Sequence, residues 1–201
     1  MKNCAYYITG LLLALLFVSC SYSKKFTNTY YQKNDSLFQS MQRHFKYLYE
    51  ERPFSIEMRD KDFQRVGFEI ITDTIKYIYS FGIDELRLTD TLVKYKFDVN
   101  RMKRLIADMQ SLHCTWITNL DYYENRQKKY LVFISIRHKE LQSFLRSEKY
   151  FTIAFFDRPR RFDNKGRLLD NQDRKTLHKI NGGLFWKIND RVCYSLSASY
   201  R

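Results

Sequence analysis

The sequence predicts an α+β fold, a mostly antiparallel sheet of about seven strands with two principal helices packed on it. Three observations carry that expectation. Aromatic residues make up 17% of the chain, with sixteen Tyr and sixteen Phe, a bias that suits pleated strands better than a helical bundle. Two segments place apolar residues at helical spacing, while several others alternate or run apolar throughout, joined by short polar stretches. With 44% hydrophobic residues, six glycines and two prolines, 201 residues suffice for one core.

The elements follow in order. Leu37, Met41, Phe45 and Leu48 lie on one helical face; Asn34, Asp35 or Ser36 can cap its start and Pro53 stops it, so the helix covers residues 36–50. Phe68, Ile70 and Thr72 alternate, as do Ile75, Tyr77, Tyr79 and Phe81, with Asp73-Thr74 between them, which reads as a hairpin. A single helix competes, because Phe68, Ile71, Ile75 and Ile78 also fit helical spacing; Gly67 and Gly82 at the bounds favour strands. Asp98 then stands as an N-cap before the stripe Val99, Met102, Leu105, Ile106, Met109 and Leu112, a second helix.

Residues 115–122 and 130–137 form a second hairpin around the polar stretch 124–129. Leu131-Val132-Phe133-Ile134 is apolar at every position, so that strand is expected to be covered on both faces. A short helix near 140–146 leads into residues 150–156, another two-faced strand. Residues 157–175 are almost wholly polar and predict an exposed, mobile loop. Residues 184–188 and 192–198 flank Asn189-Asp190, a compact hairpin turn.

The N-terminus speaks to compartment. Lys2 supplies a positive n-region, and residues 5–18, centred on Leu11-Leu12-Leu13-Ala14-Leu15-Leu16-Phe17, are a signal-peptide h-region, shorter than the roughly 20 apolar residues a membrane-spanning helix needs. The run ends at Phe17-Val18-Ser19-Cys20, which resembles the lipobox of bacterial lipoproteins over residues 1–20, with Phe17 in place of the commoner Leu. The resemblance implies cleavage before Cys20 and lipidation of that cysteine. Several acyl chains on one residue anchor durably where a single chain does not. Ser21 after the cysteine implies the outer membrane, and Ser21-Tyr22-Ser23-Lys24-Lys25 lacks an acidic surface-export run, so a periplasm-facing position is expected. The organisation that results is a signal peptide over 1–19, a lipidated tether over 20–34 and one α+β domain over 35–201.

That address bears on partners. Net charge is +13, and Lys2 is the only charged side chain ahead of Cys20, so the form beginning there carries +12. Such a surface attracts polyanions. In the envelope these are anionic lipid, lipopolysaccharide phosphates or cell-wall polymers, and not nucleic acid. Arg158, Arg160 and Arg161, with Lys128 and Lys129, are the candidate anion-binding residues. A protein partner is the other expectation.

With Cys4 removed and Cys20 lipidated, Cys114 and Cys193 remain; an oxidising compartment permits one disulfide between them, and two buried free thiols are the alternative. For catalysis the sequence offers little. It contains no HExxH, CxxC, GxSxG or glycine-rich phosphate loop, and no cofactor or metal motif. Cys114 with His138 or His178 as base is the sharpest enzymatic idea, but Cys114 follows the C-terminal end of a helix, where the dipole opposes a thiolate. His44 adjoins an apolar helix face and reads as structural. The sequence therefore points to a non-enzymatic binding domain, with a low-turnover envelope hydrolase as the alternative.

Overall fold

The computed structural model describes residues 29–72, 75–124, 127–137, 150–169 and 184–197, with backbone alone for 121–124 and 127–128. The signal peptide, Cys20, the Asp73-Thr74 turn, the helix expected at 140–146, His138, His178 and residues 170–175 lie outside the described residues. The chain divides into two compact units, Met1–Asp35 and Ser36–Arg201. In the first, residues 29–33 of the expected tether are helical, and Asn34 donates from its backbone and side-chain amides to the Tyr30 carbonyl.

The predicted α+β class is the observed one. In chain order the elements are α1 (Asp35–Glu51), β1 (Phe54–Met58), β2 (Arg65–Ile71), β3 (Lys76–Gly82), α2 (Leu86–Lys94) and α3 (Val99–Ser111). There follow β4 (Cys114–Glu124), β5 (Gln127–Arg137), β6 (Tyr150–Phe156), β7 (Trp186–Asn189) and β8 (Val192–Ser197). The strands form one eight-stranded sheet, ordered β3-β2-β1-β4-β5-β6-β8-β7, with every pairing antiparallel.

Helix α1 buries Phe38, Met41, Phe45 and Leu48, so its apolar face begins at Phe38 and not at the expected Leu37. It packs on one face of the sheet, with the Phe38 ring 6.4 Å from Phe155 and Phe45 5.0 Å from Phe54. Helix α3 buries Met102, Leu105, Ile106 and Met109, and the Asp98 side chain caps it, accepting from the Arg101 N–H at 2.9 Å. The two-faced reading of the central strands holds, since residues 131–136 and 150–156 are all buried.

What covers the opposite face is the main departure from expectation. Leu131, Phe133, Ala154, Phe156 and Cys193 form a second cluster there, closed by Leu168 and Phe185. The polar segment 157–169 is thus no loose loop. Asp163 accepts from the N–H groups of Lys165 and Arg167, and Gly166 takes the positive φ of 77° that the turn requires. The turn sends Leu168 back into the core at 2% exposure. It also fills the outer edge of β7: the Lys187 N–H donates to the Gly166 carbonyl at 2.7 Å, the Leu168 N–H donates to Phe185, and Arg167 bridges Trp186. Most of these residues are exposed, as expected, but their turn and edge hydrogen bonds and the burial of Leu168 are not visible in composition.

Of the two alternatives for the remaining cysteines, buried free thiols are the observed one. Cys114 and Cys193 are both free and buried. They sit on β4 and β8, with β5 and β6 between them, so the ladder alone separates them by about 14 Å, against roughly 7 Å at most for a bond.

Candidate functional site

The flank of α1 beside its buried stripe carries Gln39, Gln42 and Lys46 at successive turns, followed by Tyr49 and Glu50. Where this flank passes the ends of β5, β6 and β8, two clefts open. The first, of about 390 Å³, has an apolar wall of Phe45, Tyr49, Pro53, Tyr130 and Val132, with Glu50 and Asn119 at its margin. The second, of about 400 Å³, is lined by Gln39, Gln42, Asn189 and Arg191 above Phe155 and Val192. Lys46 and Asp157 line both.

These two side chains divide the clefts. Lys46 Nζ lies 3.1 Å from Asp157 Oδ1, and each side chain is 53% exposed. An ion pair so open to water is worth about 0–1 kcal/mol, so it parts readily. An anion entering the second cleft can take the place of Asp157 on Lys46. Amides and Arg191 supply further donors, and an apolar portion of the same molecule fits the first cleft.

The basic residues picked out by sequence are only partly gathered here. Lys129 and Arg158 each lie two positions beyond the paired residues Leu131 and Phe156, at neighbouring strand ends, and strand alternation puts Lys129 on the Leu131 face, away from α1. Arg158 and Arg161 are exposed. Arg160 is engaged within the fold: its guanidinium lies 5.1 Å from the Phe156 ring centroid and its backbone N–H donates to the Asp190 carbonyl at 2.7 Å. Lys128 pairs through its backbone with Tyr123 in the β4–β5 hairpin. Sequence reasoning missed Lys46, Asp157 and Arg191. The only signal for Lys46 was its place beside the apolar stripe of α1.

Two catalytic arrangements can be judged from geometry. Cys114 is fully buried, and burial pushes its thiol up to about 12, so the thiolate needed for attack does not form near neutrality. Between α1 and α3, Ser40, His44 and Asp108 approach one another. Ser40 Oγ donates directly to Asp108 Oδ2 at 3.1 Å, whereas His44 Nδ1 is buried without a hydrogen-bond partner. A nucleophilic relay needs serine on the imidazole and the imidazole on the carboxylate, which is not the order here. Burial lowers the His44 pKa, opposed by Asp108 and reinforced by Arg101, Arg104 and Arg43, and burial raises that of Asp108. Among the described residues no group of three or more His, Cys, Asp or Glu side chains could hold a metal ion.

Neither a protein-family model, nor a curated protein, nor a solved structure matches the chain.

Proposed function

We propose that this chain is an envelope lipoprotein, anchored through lipid on Cys20 at the outer membrane facing the periplasm. Its domain is a non-enzymatic module that binds an anionic, partly apolar envelope component. The observation that carries the reading is the divided cleft: an apolar chamber and a donor-lined chamber, separated by the weak Lys46–Asp157 pair. Lys46 and Arg191 hold the anionic group, Gln39, Gln42 and Asn189 satisfy its remaining oxygens, and the wall of Phe45, Tyr49 and Val132 takes the apolar part. Lys129, Arg158 and Arg161 add attraction at longer range. The net charge of +13 favours every anionic partner, and the apolar chamber selects amphipathic ones.

The test is cosedimentation of the chain lacking residues 1–20 with anionic vesicles, zwitterionic vesicles and purified cell wall across a salt series. Anionic vesicles should capture it at low salt and release it as salt rises, because exposed charges are screened beyond about 8 Å at physiological ionic strength. Lys46→Glu should weaken capture at least about tenfold while leaving the melting temperature unchanged, since the pair it breaks contributes so little stability. No capture at low salt would sink the reading. For the anchor, Cys20→Ala should abolish palmitate labelling and leave the protein outside the membrane fraction; a labelled variant would reject the lipidation site.

A further inference from the structure

Among the described residues β3 is the open edge of the sheet. Its orientation can be read from the turn that precedes it. The Thr72 N–H donates to the Ile75 carbonyl at 3.0 Å and the Ile75 N–H donates to Thr72 Oγ1 at 3.1 Å, so both backbone groups of Ile75 face β2. Strand alternation then turns the groups of Tyr77, Tyr79 and Phe81 inward to β2 and those of Lys76, Ile78 and Ser80 outward. Large apolar side chains at and beside this edge are exposed: Ile78 on β3 by 60%, Ile75 just before it by 53% and Ile71, the last residue of β2, by 42%. No proline or bulge interrupts β3, and its seven residues all pair with β2. Natural sheets usually protect an edge of this kind.

The sequence along the edge reads alike in both directions from Ile78. Tyr77 and Tyr79 flank it, polar Lys76 and Ser80 come next, and apolar Ile75 and Phe81 follow. That pattern is what an antiparallel strand needs to pair with itself about a two-fold axis. We propose that two copies of this chain associate through β3, antiparallel, with the axis at Ile78.

In this register Ile78 meets Ile78 of the second copy, Lys76 meets Ser80, Tyr77 meets Tyr79 and Ile75 meets Phe81. The outward groups of Lys76, Ile78 and Ser80 form about six backbone hydrogen bonds across the axis. No like charges stand opposite one another, and Lys76 Nζ is already held at 2.6 Å by Glu69 within its own chain. The rings are ordered in advance: Tyr77 and Tyr79 stack at 6.4 Å, Tyr79 and Phe81 at 5.9 Å, and Tyr79 Oη shares a 2.6 Å hydrogen bond with Tyr95 Oη. Ordered side chains lose little entropy on association.

Sedimentation of the full chain in detergent tests this, with three variants. The parent should form dimers. Ile78→Lys sets two ammonium groups opposite each other on a position 60% exposed in the single chain; it should raise the dissociation constant at least about tenfold without lowering the melting temperature. Ile78→Cys should crosslink to its own copy with a short bis-maleimide, and Leu86→Cys, 82% exposed on α2, should not. A parent chain still monomeric at about 100 μM, where weak interfaces are populated, would overturn the proposal. So would a dimer indifferent to Ile78→Lys, or equal crosslinking at residues 78 and 86.

Discussion

At Gly67 an ion pair crosses the sheet surface. A Cβ there would collide with Arg59 Nε and meet Glu57 Cγ at 3.0 Å. Arg59 Nε donates to Glu57 Oε1 at 2.8 Å, on a glutamate side chain only 9% exposed. Gly67→Val must push the guanidinium off this carboxylate, and should cost about 1–3 kcal/mol in urea denaturation. An unchanged midpoint would show that Arg59 moves freely. His44 provides a pH signature. Unfolded, its imidazole takes up a proton near the usual pKa of 6.5; folded, it does so lower, chiefly because it is buried. Between these values the unfolded state holds more protons, so this residue makes stability rise with pH through that window, and its full contribution is present above 6.5. His44→Gln should flatten that rise, measured as midpoint against pH. An identical slope in the variant would exclude His44 as its source.

The segment 157–169 is the element whose role is least like its composition. Leu168 closes the second cluster while its backbone borders β7. Leu168→Ala should therefore destabilise the domain by about 2–5 kcal/mol, a core-sized loss from a segment rich in arginine. A loss under about 0.5 kcal/mol, the range of surface substitutions, would return the segment to the status of a loose loop. Periodicity made α1, α3 and the three hairpins legible, because their stripes and alternations are long enough to stand out. It did not show β1, only five residues long directly after Pro53, or α2, whose buried stripe is just Leu88 and Leu92. It did not show the turn at Asp163 either. There Phe162 and Leu168 are apolar anchors among charged neighbours, and their burial depends on a partner surface contributed by other strands.

Taken whole, the domain is strongly cationic, and self-repulsion opposes its compact state. Raising salt from about 10 mM to about 150 mM should raise the melting temperature, over the same range in which the proposed vesicle binding is expected to weaken. A melting temperature that falls with salt would mean that ion pairs such as Lys46–Asp157 outweigh the repulsion. The candidate cleft was legible only as an excess of positive charge. Its dividing pair joins residues 111 positions apart, a juxtaposition that exists only once β6 has been laid beside α1. The two ends of the sheet, finally, are unlike. Residues 166–168 occupy the outer side of β7, whereas among the described residues no strand pairs with the outer side of β3. A chain with both ends bare could join tail to head without limit and grow into a fibre. With one end already filled from within, the proposed pairing through β3 would close at two chains. The arginine-rich turn is in that sense a stopper against polymerisation.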